Sequence, residues 1–166
     1  MRSATTGARR PLRGLLSSLG LLALPGLVLA EPDLDIGKVW FNAGFYSYHY
    51  DRHKGLEDKN PGIGIEWPIN ETYSLTAGMF HNSDRERSRY LGLYVMPFEF
   101  LGVKFGAVVG GFDGYPNYRN GNWFPTLIPT AAIEGRHWGL NVALIPTVKD
   151  RLYGAITLQL KYRFGD

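Results

Sequence analysis

Between Ile156 and Phe164 the chain alternates without a fault. Ile156, Leu158, Leu160, Tyr162 and Phe164 are apolar, and Thr157, Gln159, Lys161 and Arg163 between them are polar. A period of two is the signature of a β-strand with one apolar face. The pattern recurs, less cleanly, where Tyr73, Leu75, Ala77 and Met79 alternate with Ser74, Thr76 and Gly78. It recurs again where Trp138, Leu140, Val142 and Leu144 alternate with Gly139, Asn141 and Ala143. Dividing the chain at its turn signals predicts eight strands, over residues 38–50, 60–68, 72–82, 88–97, 102–112, 123–133, 137–146 and 152–164. Most approach the roughly 9 to 11 residues that a tilted strand needs to cross a bilayer. An even count suits closure, which leaves no backbone amide unpaired in hydrocarbon. The fold expected is therefore all-β, an eight-stranded antiparallel up-and-down transmembrane β-barrel.

The connections fall into two classes. Asn70-Glu71, Phe98 to Leu101, and Glu134 to Arg136 are short. Asp51 to Lys59, Asp84 to Arg87, Asp113 to Asn122, and Thr147 to Arg151 are mostly longer and more polar. Outer-membrane barrels place short turns in the periplasm and long loops outside, so the ends of the odd-numbered strands are expected at the extracellular rim. Alternation alone leaves inside and outside open, because a soluble lipid-binding barrel shows the same period with its faces exchanged. Tyr162-Arg163-Phe164 favours the membrane form, since aromatics crowd bilayer interfaces.

The N-terminus adds a destination. Arg2, Arg9, Arg10 and Arg13 precede an apolar run from Leu15 to Leu29, and Val28 and Ala30 stand at the positions a signal peptidase reads, with cleavage expected after Ala30. This order of parts is a secretory signal peptide over residues 1–30, with the barrel in 31–166. A single membrane anchor fits less well, because the run is short and broken by Pro25 and Gly26. Cleavage removes four of 18 Lys and Arg and none of the 15 acids, leaving 14 against 15 and turning a charge of +3 into −1. Basicity thus belongs to the export signal, and a nucleic-acid partner loses its electrostatic basis. With no cysteine, the exported domain has no disulfides to stabilise it.

Candidate chemistry lies at strand ends on the expected outer rim. His49 ends the first strand, and His81, Asn82 and Ser83 end the third. Acyl transfer needs a base to take a hydroxyl proton and donors for the oxyanion; His49 suits the first role, and Ser83 with Asn82 the second. Asn-Ser-Asp is also an ordinary turn string, and His53 sits in a charged loop where a histidine is usually just solvated. Pro125, Pro129 and Pro146 fall inside the sixth and seventh predicted strands, where each removes a ladder donor; a gap there would admit a lipid tail sideways. Pro61 offers the same on another side. Four scattered histidines lack ligand spacing, so no metal is expected, and no cofactor either.

These residues together resemble lipid A palmitoyltransferases of the PagP type, as a divergent branch outside the enteric bacteria. The resemblance rests on a signal peptide, eight strands, His49 near the end of the first strand, and the Phe80-His81-Asn82-Ser83 string ending the third. It extends to Asn60-Pro61-Gly62-Ile63-Gly64, Phe124-Pro125 through Pro129, and Ile145-Pro146. The resemblance implies an outer-membrane enzyme that transfers a palmitoyl chain from a phospholipid donor to lipid A, with the chain held in the lumen. It matches the family's histidine to His49, its serine to Ser83 and its acid to Asn82, a departure, because an amide holds no charge. The family's amphipathic N-terminal helix is absent or reduced to a stub, since only Glu31 to Gly37 precede the first strand. Parity with Tyr90 turns Gly92 and Tyr94 inward, with Tyr94 as the floor of an acyl pocket. Two alternatives stand beside this reading: a lipid A deacylase, from the spacing of His81 and Ser83, and a non-enzymatic structural barrel. The oligomeric state is left open.

Overall fold

The computed structural model describes residues 35–148 and 152–165. The expected signal peptide, residues 1–30, lies outside the described residues. Eight strands follow in order: β1 (Trp40–His49), β2 (Lys59–Pro68), β3 (Tyr73–His81), β4 (Arg87–Phe100), β5 (Val103–Phe112), β6 (Phe124–Glu134), β7 (Trp138–Ile145) and β8 (Ala155–Tyr162). Each is antiparallel to its neighbours, and β1 pairs with β8 from Phe41↔Tyr162 to His49↔Ala155, closing the barrel. Closure removes the unpaired edge that an open sheet would expose.

The alternation sorts residues by side. Ile63, Met79, Leu91 and Leu127 point outward and are 71%, 56%, 59% and 65% exposed, whereas Glu66, Thr76, Asn141, Gln159 and Lys161 point inward and are buried. A soluble lipid-binding barrel has the opposite arrangement.

Inside, the lumen has two layers. Toward the rim where β1 begins, Lys161 Nζ lies 2.8 Å from Glu66 and 2.6 Å from Glu134, and Glu134 pairs with Lys104 at 2.9 Å. The Asn141 amide donates to Glu66 at 3.0 Å and to the Tyr94 hydroxyl at 3.3 Å, and Gln159 donates to the Tyr90 hydroxyl at 3.4 Å. Buried charges survive only when paired and hydrogen-bonded, and this network satisfies them by joining β2, β4, β5, β6, β7 and β8. Toward the rim where β1 ends, the lumen is aromatic. Phe45 meets Phe80 edge-on at 4.9 Å, Phe80 meets Phe112 at 6.1 Å, and Phe112 meets Phe124 at 6.4 Å. Gly64 and Gly78 make room for Tyr90: a Cβ at Gly64 would stand 2.0 Å from its hydroxyl.

One turn differs from the expectation. Most of the connection predicted over Phe98 to Leu101 is part of β4, which runs on to Phe100 past an irregularity between Val95 and Phe98. The reversal is Leu101-Gly102, with φ of 50° and 74°. Two left-handed residues match the twist of a tight hairpin, so the turn needs only two positions.

Candidate active site

His49 is the last residue of β1, and its side chain is almost wholly buried, facing the aromatic half of the lumen. Its Nδ1 lies 3.1 Å from Asp58 Oδ1, while Asp58 Oδ2 holds Arg52 at 2.8 Å. Arg52 in turn stacks over the Tyr48 ring at 4.9 Å. The loop between β1 and β2 brings this about: a 3-10 turn at Arg52–Lys54 is followed by Gly55 at φ 64°, and the Ser47 amide donates to the Asp58 carbonyl at 2.7 Å. The hydrogen bond to His49, and after it the Arg52 guanidinium, hold the Asp58 carboxyl below its ordinary acidity range despite some burial. With Nδ1 engaged by a carboxylate, Nε2 is the basic nitrogen of the ring.

Ser83 follows β3 and lines the same cavity as His49. Its carbonyl accepts from the Glu57 amide at 3.0 Å, so the β1–β2 and β3–β4 loops are tied together above the lumen. Asn82 has another place. It is fully buried, its amide nitrogen donates to Ser88 Oγ at 2.9 Å and to the Gly114 carbonyl at 2.7 Å, and its oxygen accepts from the Asp84 and Glu86 amides at 2.9 and 3.0 Å. All four hydrogen-bonding positions of the amide are used. Asn82 therefore shapes the turn that carries Ser83 rather than facing a substrate. His81 ends β3 exposed, opposite Arg87, and His53 is exposed in its 3-10 turn.

The cavity runs down from His49 and Ser83 between aromatic rings to Tyr90, Thr76 and Tyr94. Gly92 and Tyr94 both point inward from β4, and a Cβ at Gly92 would stand 2.9 Å from Val108. From Ser88 to Tyr94 the strand rises about 20 Å, and with barrel strands tilted by about 40° the depth is about 15 Å. Below Tyr94 the charged network closes the lumen. Tyr94 is thus the boundary between an apolar space and a polar plug.

Among the described residues, the ladder between β6 and β7 is short. Among the described residues, β6 and β7 pair only from Thr130↔Ala143 to Glu134↔Gly139, although β6 begins at Phe124. The ladder from β6 to β5 runs unbroken through Pro125 and Pro129; in the β6–β7 register Pro129, which has no N–H to donate, faces the unpaired end of β7, and Pro125 lies beyond that strand's last residue, Ile145. A pocket at this place is lined by inward-facing Thr126 and Ile128 and by outward-facing Pro125 and Leu127, and it shares Thr126, Ile128 and Ile145 with the lining of the main cavity. Pro146 borders it but stands one residue beyond β7, correcting its predicted place inside the strand. The β2–β3 pairing stops at Gly62↔Phe80, one residue before β3 ends, and leaves Pro61 outside it.

Sequence reasoning missed Asp58, because a carboxylate in a charged loop carries no signal until the loop folds back on His49. It also missed Tyr115, which the β5–β6 loop lays over the cavity mouth; burial pushes its hydroxyl far above the ordinary value. No group of three or more His, Cys, Asp and Glu side chains able to hold a metal occurs among the described residues. Comparison of the sequence with protein-family models and with characterised proteins gives no match.

Proposed function

We propose that the chain is an outer-membrane acyltransferase, which moves a palmitoyl chain from a phospholipid to lipid A at the rim where β1 ends. One observation carries this reading: a buried histidine oriented by a carboxylate stands at the mouth of an apolar cavity, beside a stretch of wall where β6 and β7 are unpaired. An apolar cavity fits a hydrocarbon tail, and an unpaired stretch of wall is the place for that tail to arrive from a bilayer. Membrane insertion is supported by the apolar, exposed outer face, and by outward aromatics toward both ends, including Tyr46, Tyr48 and Trp123 at one and Phe98, Trp138 and Phe164 at the other. The palmitoyl chain and the lipid A acceptor are the part of the reading that comes from the resemblance to PagP-type enzymes.

The chemistry follows from the placement. His49 Nε2 takes the proton of a lipid A hydroxyl as that oxygen attacks the phospholipid ester carbonyl. The carbonyl oxygen gains negative charge in the tetrahedral intermediate, where the Ser83 hydroxyl is the donor to stabilise it. Collapse breaks the bond between the acyl carbon and the glycerol oxygen, the imidazolium returns its proton to that oxygen, and a lysophospholipid leaves. One ester is made and one is broken.

Mass spectrometry of lipid A tests this, using cells that lack such an enzyme and express this chain. The expected result is a gain of one palmitate. Unchanged lipid A overturns the reading, and loss of an acyl chain points to a deacylase.

A further inference from the structure

Three polar groups line the cavity mouth without a side-chain hydrogen bond or ion pair among the described residues: the Ser83 hydroxyl, the Asp84 carboxyl and the Tyr115 hydroxyl. A half-buried carboxyl without a partner is costly, and such a group beside a histidine in a cleft is a functional candidate. Asp84 is not a loose loop residue. Its amide donates to Asn82 Oδ1 at 2.9 Å, and the Asn82 side chain is itself held by Ser88 and the Gly114 carbonyl. The loop is also clamped to the Asp58 side of the site by the bond from the Glu57 amide to the Ser83 carbonyl. The chain thus fixes where Asp84 sits and leaves its carboxyl unspent.

We propose that Asp84 is a positioning carboxylate of this site, facing His49 from the β3–β4 loop and stabilising the imidazolium formed when His49 takes the acceptor's proton. The role rests on the acyl-transfer reading; the pairing with His49 rests on the geometry of the cavity. Asp84 shares the cavity mouth with His49 from β1 and Tyr115 from the β5–β6 loop, the charge of Glu86 acts on it from its own loop, and His49 is held by Asp58, which also holds Arg52. Burial pushes the Asp84 carboxyl above its ordinary value, the charge of His49 pulls it back, and Glu86 adds to the rise. His49 thereby has one carboxylate, Asp58, that fixes its ring and a second, Asp84, in the same cavity that answers its charge.

Two measurements on the full-length barrel in detergent micelles decide the matter. The first is a pH titration of the Asp84 carboxyl carbon by NMR, in the native chain and in His49→Gln. Loss of the cation raises the Asp84 midpoint, by about half a unit or more for a neighbouring charge; an unmoved midpoint overturns the pairing whether or not the chain transfers acyl groups. The second is transfer kinetics from phospholipid to lipid A. Asp84→Asn lowers kcat about tenfold or more, in the range of electrostatic contributions to catalysis, while the KM for phospholipid holds and Asp84→Glu restores part of the rate. Unchanged kcat in Asp84→Asn overturns the catalytic role. A native chain that transfers nothing while its Asp84 midpoint still responds to His49 overturns the acyl-transfer reading and leaves the pair standing.

Discussion

Asp58 Oδ1 lies 3.1 Å from His49 Nδ1, joining the loop after β1 to the last residue of β1 itself. The same carboxylate holds Arg52 through its other oxygen. A single loop acid therefore fixes both the ring orientation of the candidate base and the fold of the loop around it.

If His49 is the base, His49→Ala removes a contribution of about 10²- to 10⁴-fold. Asp58→Asn keeps the shape but loses the charge that favours the Nδ1–H tautomer, so its transfer rate falls between those of the native chain and His49→Ala. Release of lysophospholipid from labelled phospholipid, in the presence of lipid A, measures both. Equal rates for Asp58→Asn and the native chain would remove Asp58 from the site.

Acid has a defined effect on this clamp. Asp58 is more acidic in the folded chain than in the unfolded one, whose aspartate titrates near about 3.9. The folded state then binds fewer protons, and the stabilisation is complete above that value and fades as pH falls through the lower, folded midpoint. Amide hydrogen exchange at Ser47, whose N–H bonds the Asp58 carbonyl, is expected to stay protected at pH 5 and to rise only below the ordinary carboxylate range.

Lys161 is the hub of the polar plug, with Glu66 and Glu134 as partners and the Trp40 ring 4.9 Å away. Lys161→Met leaves both carboxylates short of a buried cation. Loss of one member of a buried ionic group costs about 3 to 5 kcal/mol, and urea unfolding of the reconstituted barrel should show a destabilisation of that size.

Leu101 is held at φ 50° and is 86% exposed at the β4–β5 turn. A left-handed conformation costs a residue other than Gly or Asn about 1 to 2 kcal/mol. Leu101→Asn gives the Asn-Gly pair that such turns favour, and the same unfolding experiment should show a gain of about 1 kcal/mol.

Tyr94 separates the apolar cavity from the charged layer, with its hydroxyl bonded to Asn141. Tyr94→Gly deepens the apolar space, so lipid A carrying longer acyl chains is the expected product in mass spectra. An unchanged chain-length profile would show that the floor lies elsewhere.

The strands were legible in the sequence because a barrel repeats one local rule. Ile156 to Tyr162 alternates in the chain and alternates in the wall, since side chains on successive strand residues must point to opposite faces. The meeting of His49 and Ser83 at one rim was also legible, because the parity of strand ends sends both there. The turn at Leu101-Gly102 was not, because Phe98 and Phe100 carry no mark that separates a strand's last turn from a loop.

What the sequence determined by itself is the periodicity, and with it the number of strands and the set of residues that share a face. Only closure of the sheet decided which face is the inside. Closure also brought together residues far apart in the chain, placing Lys161 on Glu66 and leaving Pro129 beside a strand it does not bond. The partner of His49 came from a loop, where no period applies. Asp58 and Asp84 are ordinary turn acids in sequence, and only the folding of two loops brings Asp58 to the His49 ring and Asp84 into the cavity that His49 lines. Local backbone geometry writes a strand into the chain, whereas the meeting of loops depends on contacts between segments that the chain does not hold adjacent.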